Sequence, residues 1–266
     1  MSEEKVVEEG TSVPSLTPTY TPSLAFATPA YLATVSCSYV ASLTCSVVDL
    51  DKLGIRTKLL WLTHCSLLPR ARNALVAQFM ASDFTHMLFV DGDISWPRDA
   101  VLKLLRYDLP LVGIAGLRRG GDAKPCIRPL SEENNSVEYD RETGLVRVGA
   151  VGTGFMMIRR DVFETMERAY PNLKLPAGEE MAPETDEHYY GFFNLSLGES
   201  EDFAFCQRYR AVGGEVYVDP RISLKHQGHT VYEGALTDYM KFPELDEEGT
   251  GQPGQGELFK LGDAAA

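Results

Sequence analysis

The five cysteines of this 266-residue chain (Cys37, Cys45, Cys65, Cys126 and Cys206) include no Cys-x-x-Cys pair, and their number is odd. That spacing excludes the usual structural zinc site and argues against a disulfide framework. If Cys37 and Cys45 share a helix, eight residues separate them by about 12 Å, too far to bridge. All five read as buried thiols in a reducing compartment. Also missing is any apolar stretch near the roughly 18 residues of a membrane span, and no basic, apolar leader opens the chain. A soluble, cytoplasmic protein is expected. Positive charge is scarce too: 25 Lys and Arg face 38 Asp and Glu, for a net charge of -13. Without a general basic surface, nucleic acid is disfavoured as a routine partner, although a local patch stays open.

With 44% hydrophobic residues the chain can bury a sizeable core, and one α/β domain over 23–242 is the simplest division. Residues 1–22 mix Glu, Ser, Thr and Pro without apolar periodicity and read as a flexible arm; 243–266 read as a disordered tail. Between them, strand and helix patterns alternate. Strands are expected at 24–27, 57–62, 87–90 and 111–115, with helices over Tyr31 to Leu53, Pro69 to about Ser82, and Arg98 to Tyr107. Repeated βα units imply a mostly parallel central sheet with right-handed crossovers and helices on both faces. A strand from Ala150 to Ile158, a helix over 161–169, a helix capped by Ser200, and a strand over 215–218 follow. Two irregular excursions, 118–147 and 171–197, are expected to carry the acceptor side and the most mobile part of the chain. The acids from Glu179 to Glu187 read as a solvated loop.

Chemistry concentrates where the buried run Met87-Leu88-Phe89-Val90 meets Asp91-Gly92-Asp93. The carboxyl end of such a strand is where open α/β sheets bind ligands. In an extended segment Asp91 and Asp93 face one way, and Gly92 lets a ligand approach the backbone. Two carboxylates with an open side suit Mg²⁺ or Mn²⁺ carrying a diphosphate. Glu201 and Asp202 occupy the first turn of a helix, where acids also serve the helix dipole. His226 follows a further strand in His226-Gln227-Gly228-His229 and can complete a metal site. Gly152-Thr153-Gly154 interrupts an apolar strand, as a bulge or as a point of close substrate approach. Arg70, Arg72 and Asn73 open the second helix, where free N–H donors make an anion or nucleotide clamp plausible.

The segments Pro69 to Asn73, Met87 to Asp93, Val151 to Phe155, Glu199 to Phe203 and His226 to Gly228 resemble, in order and spacing, the successive motifs of GT-A fold glycosyltransferases. The similarity is to family-2-like bacterial and phage enzymes and, more distantly, to fungal mannan-polymerase mannosyltransferases, over roughly residues 24 to 232. It implies a single GT-A, Rossmann-like domain and a metal-dependent transferase using a nucleotide-sugar donor, a UDP- or GDP-sugar. By the resemblance Asp93 is the more direct metal ligand, with His226 and Asp91. Thr28, Pro29 and Tyr31 would lie along the nucleotide with Arg70, Asn73, Asp91, Gly92 and Gly154 nearby. Asp202, beside Glu201, would be the acceptor-side acid. An acceptor glycan or other hydroxyl-bearing molecule is implied. No membrane anchor is read here, so neither Golgi location nor mannosyl specificity carries over. A sugar nucleotidyltransferase and a non-catalytic nucleotide-sugar-binding module are the alternatives; the former usually shows a Gly-rich basic loop where this chain has Thr28-Pro29-Ala30-Tyr31. Stereochemistry and oligomeric state stay open.

Overall fold

The computed structural model describes residues 21–118, 124–131, 133, 135–176, 183–228, 231–240 and 257–260. Most of the arm at 1–22, His229, and the tail apart from 257–260 lie outside the described residues, as does part of the acid-rich stretch. In chain order the first half contains β1 (Leu24–Ala30), α1 (Cys37–Lys52), β2 (Thr57–Thr63), α2 (Leu68–Met80), β3 (His86–Val90), β4 (Ile94–Ser95), α3 (Ala100–Tyr107) and β5 (Leu111–Gly113). The second half contains β6 (Ile127–Arg128), β7 (Ser136–Tyr139), β8 (Val146–Val148), β9 (Ala150–Val151), β10 (Phe155–Arg159), α4 (Arg160–Ala169), α5 (Pro183–Asp186), α6 (Glu201–Ala211), β11 (Val216–Val218), β12 (Leu224–Gln227), β13 (Val231–Gly234) and β14 (Glu257–Lys260).

Nine strands form a central sheet in the order β14-β7-β8-β11-β5-β10-β3-β1-β2. The pairings β2–β1–β3 and β5–β11 are parallel, whereas β10, β8 and β14 run against their neighbours. Six strands therefore point one way and three the other. Alternating side chains divide two apolar layers. Ala25, Ala27, Met87 and Phe89 pack with α2, α4 and α6, while Leu24, Phe26, Leu88 and Val90 pack with α1 and α3. Helices thus cover both faces, and the fold is α/β.

Several elements differ from the sequence expectation. The first helix begins six residues late: Tyr31 to Ser36 forms a loop across the carboxyl end of the sheet, and the Ser36 hydroxyl accepts from Tyr39 N as the cap. Pro29 lies inside β1 beyond Ala27, the last residue to pair with β3, so its missing N–H faces a side without a strand. Part of 118–147 joins the sheet, because β7 and β8 extend it beyond β11 and bury Val137, Tyr139, Val146 and Val148. Phe192 and Phe193, placed in the second excursion, are fully buried core residues. Within the tail, Glu257–Lys260 pairs antiparallel with β7. The cysteines are free, but Cys37 and Cys45 are exposed and Cys65 and Cys126 partly so; Cys206 alone is buried. Finally, the Arg160 side chain donates to the carbonyls of Phe79, Met80, Ser82 and Phe84, satisfying the groups left open at the end of α2.

Candidate active site

The strand β3 ends at Val90, and residues 91–93 turn away from it, with Ile94 N donating to the Asp91 carbonyl at 3.0 Å. Period-two alternation ends with the strand. Consequently the two aspartates engage different neighbours, contrary to the shared face expected of an extended segment. Asp91 Oδ1 lies 3.3 Å from Arg72 Nη2 on α2, whereas Asp93 Oδ1 lies 3.4 Å from His226 Nε2 on β12. Gly92 is needed for its own chain: a methyl group there would sit 2.8 Å from Val35 Cγ1. Its carbonyl accepts from Ser36 N at 2.8 Å, so the loop before α1 approaches Gly92 closely.

His226 reaches Asp93 because β12 pairs with β4, setting His226 opposite Ile94. A further bond from Gln227 N to the Asp93 carbonyl, 2.8 Å, locks the two segments together. The imidazole is oriented by Nδ1, which donates to the Leu117 carbonyl at 2.9 Å. This leaves Nε2 as the nitrogen turned toward the carboxylate, the arrangement that presents a ring lone pair to a metal. The Asp93–His226 pair supplies one oxygen and one nitrogen donor. Among the described residues no group of three or more His, Cys, Asp or Glu has metal-holding geometry, and Asp91 is paired with Arg72 in this arrangement. A pair suits Mg²⁺ or Mn²⁺, which keep several waters and take the rest of their shell from substrate phosphates.

On the other side of Asp91, a buried cation joins the two acidic motifs. Arg72 is 2% exposed; its guanidinium bonds Asp91 through Nη2 and forms a short pair with Glu201 through Nη1. Its Nε has no hydrogen-bond partner in the described structure. Glu201 and Asp202 open α6 after the cap residue Ser200. Asp202 is 9% exposed, and its Oδ1 accepts from Phe203 N at 2.8 Å and from the Ser200 hydroxyl. The other oxygen, Oδ2, faces Gly152, where a methyl group would lie 3.4 Å from it and 2.8 Å from Cys126 Sγ. A methyl group at Gly154, two residues on, would lie 3.6 Å from Asp91 Oδ2. The strand interruption therefore threads between the two acidic motifs, and Gly152 is required by its own chain. The Thr153 hydroxyl between them is buried and has no hydrogen-bond partner among the described residues. Burial, with the Asp202 charge second, pushes the Cys126 thiol above its ordinary pKa, which keeps it protonated.

The remaining candidates separate into inward and outward groups. Thr28 is buried, its hydroxyl 2.7 Å from Tyr39 OH, and so does not line a nucleotide. Asn73 is buried as well: its Oδ1 accepts from Phe193 N at 2.8 Å and its Nδ2 donates to Asn194 Oδ1 at 3.0 Å. It holds the 190–194 segment against α2. Arg70 points outward from the same helix, so the proposed Arg70–Asn73 clamp is not assembled. Pro29 is half-buried and Tyr31 exposed at the carboxyl end of β1. The bridging role of Arg72, the Leu117 carbonyl and Cys126 had no sequence signal, since each depends on a partner far along the chain.

No family model matches this chain, and no curated protein matches it by sequence. Solved structures do. S. aureus TarS 1–349 aligns with a TM-score of 0.37 and 12% identity over 74% of this chain and 57% of that one. This chain thus spans little more than half of that structure. A glycosyltransferase involved in the glycosylation of the major capsid of PBCV-1 aligns at 0.31 and 10% identity, covering 62% of this chain and 74% of that one. The inositol-1-phosphate CTP transferase from T. maritima aligns at 0.37 and 13%, covering 78% and 90%. Among the described residues no helix is long and apolar enough to cross a membrane.

Proposed function

We propose that this protein is a metal-dependent glycosyltransferase that moves a sugar from a nucleotide-sugar donor to an acceptor hydroxyl. The observation that carries the reading is the Asp93–His226 pair, 3.4 Å apart at the carboxyl end of β3, with the imidazole oriented through Leu117. Carboxylate oxygen and imidazole nitrogen suit a divalent cation that brings a diphosphate with it. Such a cation, when bound, stabilises charge developing on the leaving diphosphate. Asp93 and His226 would hold it at the sheet's carboxyl end. Asp202, with one oxygen fixed by the α6 start and the other turned to the Gly152 strand, takes the proton of the attacking hydroxyl. Arg72 holds Asp91 and Glu201 in place between the two halves of the site.

Calorimetric titration of UDP and GDP with and without Mn²⁺ tests the donor half. Nucleotide binding should require the cation, and Asp93→Ala should abolish it. Unchanged binding in that variant removes the metal assignment. Asp202→Asn keeps size and hydrogen-bonding shape but cannot take a proton, so donor affinity should survive while transfer, or donor hydrolysis, falls by roughly 10² to 10⁴. A stable Asp202→Asn enzyme with near-normal turnover would leave the base elsewhere.

A further inference from the structure

Three arginines stand around the start of α6, and acids match two of them. Arg72 answers Asp91 and Glu201, and Arg128 answers Glu199 at 2.6 Å. Arg118 is different: it is exposed and makes no ion pair with a described residue, in a chain where 38 acids outnumber 25 Lys and Arg. The residue is nonetheless anchored. Arg118 N donates to the Lys124 carbonyl at 2.9 Å, Leu117 bridges Pro125, and Cys126 N donates to the Gly116 carbonyl at 2.8 Å, so 116–118 and 124–126 run side by side. Its guanidinium carbon lies over the Phe203 ring, 5.9 Å from the centre, and Arg128 covers the same ring at 5.1 Å. Phe203 directly follows Asp202. The Cys126 thiol reports the same neighbourhood: after burial, the Asp202 charge raises its pKa, Arg118 lowers it, and Asp91 raises it by less. Leu117, one residue before Arg118, supplies the carbonyl that orients His226. The unmatched cation is thus carried by the segment that supports the metal pair and rests on the residue next to Asp202.

Resting on the transferase reading above, we infer that Arg118 binds an acidic group, phosphate or carboxylate, on the acceptor and so selects an acidic acceptor over a neutral one. A guanidinium offers paired N–H donors that match either oxyanion. Packing over a ring occupies its face and leaves those donors free. The donor diphosphate has its own counter-charge in the cation at Asp93 and His226, whereas Arg118 lies on the Asp202 side. The surrounding acids sharpen the choice. An acidic acceptor that misses Arg118 meets Asp202 and Asp91 instead, and like charges reject it. One orientation remains favourable, with the acid on Arg118 and the hydroxyl toward Asp202.

Saturation-transfer NMR of the full chain with glucose, glucose 6-phosphate and glucuronate, each with and without UDP and Mg²⁺, tests this selection. At least one acidic sugar should bind about tenfold more tightly than glucose, the worth of one charge-assisted contact. Arg118→Gln should bring the acidic sugars down to the level of glucose, while Arg118→Lys, a point charge without the fork, should keep part of the preference. A side chain that only packs on Phe203 would leave the preference unmoved. Titration of UDP with Mg²⁺ should give the same affinity in the parent and in Arg118→Gln. Equal binding of acidic and neutral sugars overturns the inference, and so does a preference that survives Arg118→Gln. An equal loss of UDP affinity in that variant also overturns it, because the guanidinium then serves the donor diphosphate. Failure of UDP to bind the parent counts against the transferase reading instead, and the sugar comparison without UDP still decides the role of Arg118.

Discussion

At the scale of single residues, Arg72 is the side chain on which most of the site converges. A guanidinium shut away from water between Asp91 and Glu201 is stabilising only while both carboxylates answer it. Removing the cation leaves two acids facing each other in a poorly solvated gap. Arg72→Leu should therefore cost about 3 kcal/mol, the lower end for a broken buried pair because the Asp91 side chain keeps 34% of its surface. Denaturant unfolding measures this as a lower midpoint at an unchanged slope; a shift under about 0.5 kcal/mol, the level of ordinary surface changes, would show the clamp to be idle. Arg72→Lys should recover only part of the loss, because a point charge cannot span two carboxylates as the planar fork does. The sequence made Asp93, Asp202 and His226 candidates, because their types and placement at element ends carry chemical meaning on their own. It did not show which polar residues near them turn inward. Thr28 and Asn73 are taken up by Tyr39 OH and Phe193 N, partners 11 and 120 residues away, and no local pattern announces such bonds.

At the scale of elements, the strand from Ala150 to Arg159 is broken where Gly152 passes between Cys126 and Asp202. A side chain there has no room: Gly152→Ala sets a methyl group 2.8 Å from Cys126 Sγ, and overpacking of this kind costs about 1 to 3 kcal/mol. Cys126→Ala opens the space, so the double variant should regain much of the stability lost by Gly152→Ala alone. A coupling energy near zero in that double-mutant cycle would place the strain elsewhere. The β1, β2, β3 and β5 strands and their helices were legible because each is a continuous apolar run or a clear 3.6-residue pattern. β7 and β8 were not. Their buried pairs Val137–Tyr139 and Val146–Val148 are separated by acids and Gly144, and the β7–β8 pair joins the rest of the sheet through β11, some seventy residues later. The first helix was read too early for a related reason: Tyr31 and Leu32 extend its apolar pattern, but both are exposed on the loop that crosses the sheet end.

At the scale of the whole molecule, self-repulsion in an acid-rich chain eases on mild acidification, which favours the folded state. One buried group acts the other way. His86, at the amino end of β3, is almost wholly buried, with Thr85 Oγ1 2.9 Å from Nδ1 and Asp108 Oδ1 3.8 Å from Nε2. Burial lowers its pKa to about 4, against a smaller opposing pull from Asp108, with Arg159 and Asp161 farther off. The unfolded chain takes up this proton near the ordinary value of about 6.5 while the folded chain refuses it until about 4. Stability contributed by neutral His86 is thus full above about 6.5, falls as pH drops through that window, and declines no further below about 4. One proton sets the ceiling: about 1.4 kcal/mol per pH unit, or roughly 3 kcal/mol across the window. The exposed ion pairs act later, since Arg98 and Arg56 hold the Asp49 and Asp83 carboxylates below their ordinary 3.8. Between pH 6.5 and 5 the histidine effect is therefore expected to dominate. Urea unfolding across that interval should show stability falling with pH in the parent and a nearly flat profile in His86→Gln. Equal slopes in the two proteins would show that the buried imidazole is not what makes the fold acid-sensitive.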